Sequence, residues 1–190
     1  MSSRAQYSPG PAANADVRKD GDRWTLVLVR ELRHPPAKVW KALTDPAELR
    51  EWAPFDADHS LATAGPVKLS TVGTPTAHVS ESIVKRAEPP RLLEYSWGEN
   101  DMRWELTPFS GGTRLTLWHN IDRKYIAMGA AGWHICFDVL DRFLSDEPIG
   151  RIVAGEAMKF GWPRLNAEYA QQFGIDPKNP SPPTDGSASS

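Results

Sequence analysis

The sequence predicts an α+β domain in which a curved antiparallel sheet wraps around one long helix. From residue 55 to residue 119, short segments rich in β-branched and aromatic residues alternate with turns, as in an antiparallel meander. Residues 130–144 instead carry apolar side chains at helical spacing, from Trp133 to Leu144. Because a sheet with one apolar face must be covered, this helix is the candidate cover.

The first predicted elements lie between residues 24 and 52. Residues 24–32 are apolar and β-branched with polar ends, which is typical of a strand. Pro35 and Pro36 stop this strand and open a short helix over residues 37–43, since proline is tolerated in a first helical turn. Asp45 is placed to cap a second short helix that ends near Trp52.

The alternation of side chains assigns the faces of the later strands, which are predicted at residues 67–72, 78–85, 92–97, 102–108 and 113–119. The apolar face is expected to carry the side chains of Leu93, Tyr95, Trp97, Met102, Trp104, Leu106, Leu115, Leu117 and His119. Glu81 and Glu94 fall on the opposite, polar face. On the long helix, the side away from the sheet is predicted to be exposed, with His134, Asp138, Asp141 and Arg142 in solvent.

One domain accounts for the length of the chain. Residues 21–175 are predicted to form it, and residues 1–20 and 176–190 are predicted to be disordered tails because they are rich in Ser and Pro and lack a period. An extra helical segment is expected over about 148–175, with its helix beginning near Pro163 and with Trp162, Leu165, Tyr169 and Phe173 near a helical period. We expect this helix to pack on its own sheet; the alternatives are a cap over a cavity and a homodimer interface.

Composition and charge exclude several functional classes. The 190 residues are 40% hydrophobic with a net charge of -2, which indicates a globular chain without the basic surface that nucleic-acid binding needs. No apolar run approaches the roughly 20 residues that cross a bilayer, and residues 1–15 lack the apolar centre of a signal peptide. The lone cysteine, Cys136, excludes an internal disulfide and fits a reducing compartment. We therefore expect a cytoplasmic protein that does not insert into membranes.

Four motifs in order resemble one known family. Residues 34–46 (HPPAKVWKALTDP) followed by Trp52, residues 89–97 (PPRLLEYSW), residues 112–119 (GTRLTLWH) and Gly132-Trp133 are similar to motifs of the activator of heat-shock ATPase homologue-like (AHSA-type) family. This family is part of the wider START, polyketide cyclase and birch-pollen-allergen superfamily, abbreviated SRPBCC. The resemblance covers residues 24–144 approximately and is specific for the fold.

The resemblance implies a helix-grip (START-like) fold with a hydrophobic cavity between sheet and helix that holds a lipid, a polyketide or a flat aromatic molecule. The family takes its name from a eukaryotic co-chaperone that carries a separate amino-terminal chaperone-binding domain. Nothing in this chain resembles that domain, so a chaperone partner is not expected. A chaperone-interacting or stress-response module stays open as an alternative function.

Large aromatic side chains are the candidate ligand contacts. The chain has eight tryptophans, and large rings line cavities as well as fill cores. The predicted cavity residues are Trp40, Trp52, Phe55, Tyr95, Trp97, Trp104, Leu117, His119, Trp133, Phe137 and Leu140. The alternative is a solid core in which the same rings leave no cavity.

His119 is the candidate polar group of the interior. It shares a face with Leu115 and Leu117, where an imidazole can hydrogen-bond a ligand carbonyl or act as a general base. This second role would suit a cyclase, dehydratase or hydrolase, whereas an end-of-strand position would leave His119 in solvent. No histidine or cysteine spacing suits a metal, and no phosphate-binding or dinucleotide motif is present, so neither metal nor cofactor is expected. A binding protein is therefore favoured over an enzyme.

Overall fold

The computed structural model describes residues 3–175. Within that range one antiparallel sheet holds eight strands in the order β1-β2-β8-β7-β6-β5-β4-β3. The strands are β1 Ala15–Asp20, β2 Arg23–Leu32, β3 Phe55–Ala57, β4 Gly65–Thr71, β5 His78–Glu88, β6 Leu92–Trp97, β7 Asn100–Phe109 and β8 Gly112–Asn120.

Four α-helices accompany the sheet in the described part of the chain: α1 Pro36–Thr44, α2 Pro46–Trp52, α3 Ile126–Leu144 and α4 Trp162–Phe173. Short 3₁₀ segments lie at Arg123–Tyr125 and Ala154–Phe160. The sheet curls around α3, so the predicted α+β helix-grip fold with an extra carboxy-terminal helix is confirmed. No helix among residues 3–175 combines the length and the hydropathy needed to span a bilayer.

The helix ends follow from the local sequence. Asp45 caps α2, because its side chain accepts a hydrogen bond from the Ala47 backbone N–H at 2.9 Å, and Pro46 occupies the first turn. Pro163 likewise lies in the first turn of α4, as expected. Gly174 ends α4 with φ of 66°, a left-handed conformation that glycine adopts without steric cost.

Strand register brings the apolar side chains together on the face toward α3. Met102 lies opposite His119, and Trp104 opposite Leu117, across the β7–β8 pair. These four side chains are buried, whereas Arg103 and Arg114 on the other face are exposed. The predicted alternation of faces is therefore confirmed for these central strands.

The amino-terminal residues are ordered in the structure, so the prediction of a disordered tail over residues 1–20 is wrong for the part described. β1 pairs along its length with β2. The preceding N-terminal segment (residues 3–14) buries Tyr7, and the Arg4 guanidinium donates to the backbone carbonyls of Ile149 and Gly150, each at 3.0 Å. This segment is fixed to the domain by a few separate side chains and by backbone hydrogen bonds. Its sequence therefore shows no regular hydrophobic period. The predicted tail at 176–190 lies outside the described residues.

Helix α4 packs mainly against α3, whereas we expected it to pack on the sheet; its direct bond to the sheet is from the Gln172 side chain to the Ala15 carbonyl of β1. Trp162, Leu165 and Tyr169 are buried in this contact. The side of α3 away from the sheet is therefore covered, and the prediction that His134 and Asp138 lie in solvent is wrong. The His134 residue is 6% exposed and the Asp138 side chain 19%.

Candidate functional site

Seven aromatic side chains form one continuous set of ring contacts between the inner face of the sheet and α3. We call this set the aromatic cluster: Trp52 from α2, Phe55 from β3, Tyr95 and Trp97 from β6, Trp104 from β7, and Trp133 and Phe137 from α3. All seven were predicted as cavity residues from the sequence. The structure brings them together from five elements.

Trp104 lies at the centre of the aromatic cluster. Its ring centroid is 5.5 Å from that of Trp133 and 6.1 Å from that of Trp52, both in edge-on geometry. At the other end, the rings of Phe55 and Trp97 are 5.2 Å apart. Trp97 is partly exposed and the other members are buried, so the cluster meets solvent at Trp97.

Hydrogen bonds hold two of the buried indoles. The Trp52 Nε1–H donates to the Ala42 carbonyl at 2.9 Å, and the Trp104 Nε1–H donates to the Tyr95 hydroxyl at 3.1 Å. Burial raises the pKa of Tyr95, so this phenol is neutral. These partners fix the two rings, because a buried N–H without an acceptor is costly.

His119 lies inside the protein and not at a solvent-exposed strand end. It is 3% exposed, and its Nδ1 accepts a hydrogen bond from the Trp133 Nε1–H at 3.1 Å. Burial lowers the pKa of His119 to about 4, so the imidazole is neutral at neutral pH. An indole N–H can only donate, so Nδ1 carries no proton and the single ring proton is on Nε2.

Two buried N–H groups beside the aromatic cluster have no partner within the described residues. They are His119 Nε2 and Trp97 Nε1. The two rings stack with centroids 6.1 Å apart and planes 26° from parallel. Buried polar atoms are nearly always hydrogen-bonded in folded proteins, so two neighbouring unpaired donors are an unusual feature of this interior.

The other predicted site residues are buried nearby. Leu117 on β8 and Leu140 on α3 belong to the same hydrophobic core. Trp40 is 7% exposed on α1 and lies outside the set of ring contacts that defines the aromatic cluster. Glu94 faces away from the core toward Arg103, at 3.4 Å, as the alternation predicts.

A second group of polar side chains, which the sequence did not predict, lies on the opposite side of α3. We call it the polar cluster: Tyr7, Arg30, His134, Asp138 and Tyr169. Asp138 accepts from the Tyr7 hydroxyl and from the Arg30 guanidinium, each at 2.5 Å, and His134 Nδ1 lies 2.7 Å from the Tyr169 hydroxyl. The N-terminal segment, β2, α3 and α4 line an open pocket of about 230 Å³ at this cluster.

Burial sets the protonation of the polar cluster. It lowers the pKa of His134 and raises the pKa of both tyrosines, so these three groups are neutral at neutral pH. One sequence signal pointed to the cluster: His134 and Asp138 are four residues apart on α3 and share a face. That signal also fits an exposed helix face, and only the positions of Tyr7 and Tyr169 decide between the two.

A wide groove of about 570 Å³ lies on the outer face of the sheet and includes Trp118. Its lining carries three basic and three acidic side chains, and the ion pairs among them include Lys85 with Asp101 at 2.6 Å and Arg103 with Glu105. These pairs are exposed and neutralise one another, so the groove offers no excess charge to a ligand.

Metal and thiol chemistry find little support in the structure. Among residues 3–175, no three His, Cys, Asp or Glu side chains are grouped closely enough to hold a metal ion. Cys136 is buried on α3, and burial raises its pKa to about 12. A thiol in this state is not a nucleophile at neutral pH.

Comparison with protein families decides where the chain belongs. Residues 33–145 match the family described as Activator of Hsp90 ATPase homolog 1-like protein, and they make up more than half of the chain. The chain belongs to this family. The resemblance of the sequence motifs to the AHSA-type family is thereby confirmed. No curated protein gave a significant match.

Solved structures share the fold of this family member. The conserved protein of unknown function EF2215 from Enterococcus faecalis has a TM-score of 0.64 at 14% identity, covering 83% of this chain and 89% of its own. CalU16 from Micromonospora echinospora has a TM-score of 0.60 at 21% identity, covering 84% and 93%. The AHSA1-like protein from Aeromonas hydrophila has a TM-score of 0.54 at 16% identity, covering 64% and 92%. At these identities the likeness establishes the fold alone.

Proposed function

We propose that this protein binds a small, flat, largely apolar molecule between the sheet and α3, in contact with the aromatic cluster. The observation that carries the proposal is the continuous set of ring contacts drawn from five elements of the inner face. Proteins of this fold family generally bind small ligands. Aromatic side chains provide large contact areas for flat ligands at a small cost in side-chain entropy.

The ligand would enter beside Trp97. This residue is the partly exposed member of the cluster and lies next to the turn between β6 and β7. Its ring touches Phe55, Trp133 and His119, so a change of its rotamer would open the cluster to solvent without breaking a hydrogen bond of its indole. In this proposal Trp97 moves aside while the ligand enters and returns to its position against His119 once the ligand is bound.

The geometry favours binding over acid–base catalysis. A general base needs a free lone pair, but the His119 Nδ1 lone pair accepts from Trp133 and its Nε2 carries the proton. The lowered pKa also makes His119 a weak base. The cyclase, dehydratase or hydrolase alternative therefore loses its candidate residue. Cytoplasmic location stays a prediction from the sequence, and a homodimer stays an alternative.

Tryptophan fluorescence and thermal unfolding test the proposal. Titration with 2-ethylnaphthalene should shift the emission and raise the melting temperature, because a ligand that binds only the folded state stabilises it, and the flexible chain of palmitate should have a smaller effect. The Trp118→Phe variant is the matched control, since Trp118 lies on the outer face of the sheet. It should keep the ligand effect. If neither compound shifts emission or melting, or if the effect vanishes in this control, the proposed site is wrong.

A further inference from the structure

We infer that the ligand is a flat, neutral carbonyl compound (a ketone, aldehyde or quinone) whose oxygen accepts hydrogen bonds from His119 Nε2–H and Trp97 Nε1–H. This inference rests on the proposed function and names the chemical class that the site would take. It follows from three features of the interior: both unpaired groups are hydrogen-bond donors, both are neutral, and they lie on adjacent rings.

Both unpaired groups are donors, so they require an acceptor. Trp97 Nε1 can only donate, and the Trp133 hydrogen bond assigns the proton of His119 to Nε2. A hydrocarbon or a protonated amine has no acceptor and would leave both donors unpaired. A carbonyl oxygen has two lone pairs and can accept from two N–H groups at once.

The surroundings favour a neutral acceptor over a carboxylate. His119 is buried without a carboxylate or a cation as partner, and no cation in residues 3–175 lies over the rings of His119 or Trp97. Arg30 approaches the cluster from the far side, 5.8 Å from the centre of the Phe137 ring, and Asp138 already pairs with it. A buried carboxylate without a counter-charge pays a large desolvation cost, whereas a ketone does not.

Three probes of the same size separate the possibilities: 2-acetylnaphthalene carries a neutral acceptor, 2-ethylnaphthalene carries none, and 2-naphthoate carries a charged one. Affinities for the purified full chain are measured by tryptophan fluorescence. Two added hydrogen bonds should make the ketone bind about tenfold more tightly than the hydrocarbon. The carboxylate should bind more weakly than the ketone.

The Trp97→Phe variant assigns the effect to one donor. It keeps a ring at this position and removes an N–H that has no partner in the ligand-free protein. The ketone-to-hydrocarbon ratio should therefore fall severalfold in Trp97→Phe and stay unchanged in Trp118→Phe. Independently of any variant, the Trp97 indole N–H resonance in a ¹⁵N-labelled sample should move downfield with the ketone and not with the hydrocarbon.

Each remaining outcome contradicts a specific statement. Equal affinities for ketone and hydrocarbon would overturn the inference and leave the proposed binding function standing, with water as the partner of the two donors. A ketone preference that persists in Trp97→Phe, with the Trp97 resonance unmoved, would overturn the inference as well. Binding of none of the three probes would remove the proposed function and this inference with it.

Discussion

Acidification is expected to destabilise this protein through His119. Its pKa is 6.5 in an unfolded chain and is lowered to about 4 by burial in the folded protein. Between these pH values the unfolded state binds more protons than the folded state. Stability is therefore fully present above pH 6.5 and is lost as the pH falls toward 4.

The size of the effect follows from the same two pKa values. Proton linkage gives a loss of about 2 kcal/mol in the free energy of unfolding between pH 7 and pH 5 from His119 alone. Burial lowers the pKa of His134 as well, so its contribution has the same sign and adds to the total. Urea denaturation at half-unit steps across this range measures the sum.

The His119→Gln variant isolates the contribution of His119. Its side-chain carbonyl can still accept from the Trp133 indole N–H, while the titrating imidazole is gone. The stability difference between wild type and His119→Gln should therefore change by about 2 kcal/mol in favour of the variant from pH 7 to pH 5. His78→Gln, at the start of β5 and outside both the aromatic and the polar cluster, is the control and should follow the wild-type curve. Parallel curves for wild type and His119→Gln would refute the burial of a neutral His119.

Three further predictions concern the polar cluster, the sheet and the thiol. Asp138→Ala removes the acceptor of two hydrogen bonds and leaves a partly buried guanidinium without its partner, so it should cost about 3 kcal/mol in chemical denaturation, against about 1 kcal/mol for Tyr7→Phe. Equal losses of stability in the two variants would show that the Arg30–Asp138 ion pair does not stabilise the protein. Gly112→Ala would place a Cβ 2.0 Å from a backbone carbonyl oxygen of β2, so it should lower the melting temperature strongly or prevent folding. Gly10→Ala is the control, because a Cβ there has no atom within 4 Å, and it should change the melting temperature little. A Gly112→Ala protein with wild-type melting would contradict the β2–β8 geometry. Cys136 should react with a disulfide reagent at pH 8 only at the rate of unfolding, because it is buried with a raised pKa, and fast stoichiometric labelling of the native protein would contradict that placement.

The strands and helices of residues 23–144 were largely predictable because their signals are local. Alternation assigned Tyr95, Trp104 and His119 to the inner face, and the structure places all three there. Proline and aspartate set the starts of α1 and α2. Helix α3 begins at Ile126, four residues before its predicted start at Ala130. Small residues such as Ala127 and Gly129 give no clear helical period, so the sequence did not indicate this first turn.

The aromatic cluster was predictable as a set of residues but not as an arrangement. Periodicity shows that Trp97 and Trp133 face the interior, yet it says nothing about which indole finds an acceptor. The Trp133 hydrogen bond to His119 depends on how α3 lies across β8, and the two unpaired donors depend on it in turn.

The sequence by itself determined the fold class, the family and the inner face of the sheet, because period, turn residues and motif order are properties of neighbouring positions in the chain. Only the tertiary structure decided whether the side of α3 that faces away from the sheet is exposed or buried. Tyr7 and Tyr169 are distant in sequence, and their packing turns His134 and Asp138 from an apparent solvent face into a buried network. The physical reason is that burial of a surface depends on which other segments pack on it. The sequences of the N-terminal segment and of α4 do not show locally which surface they cover.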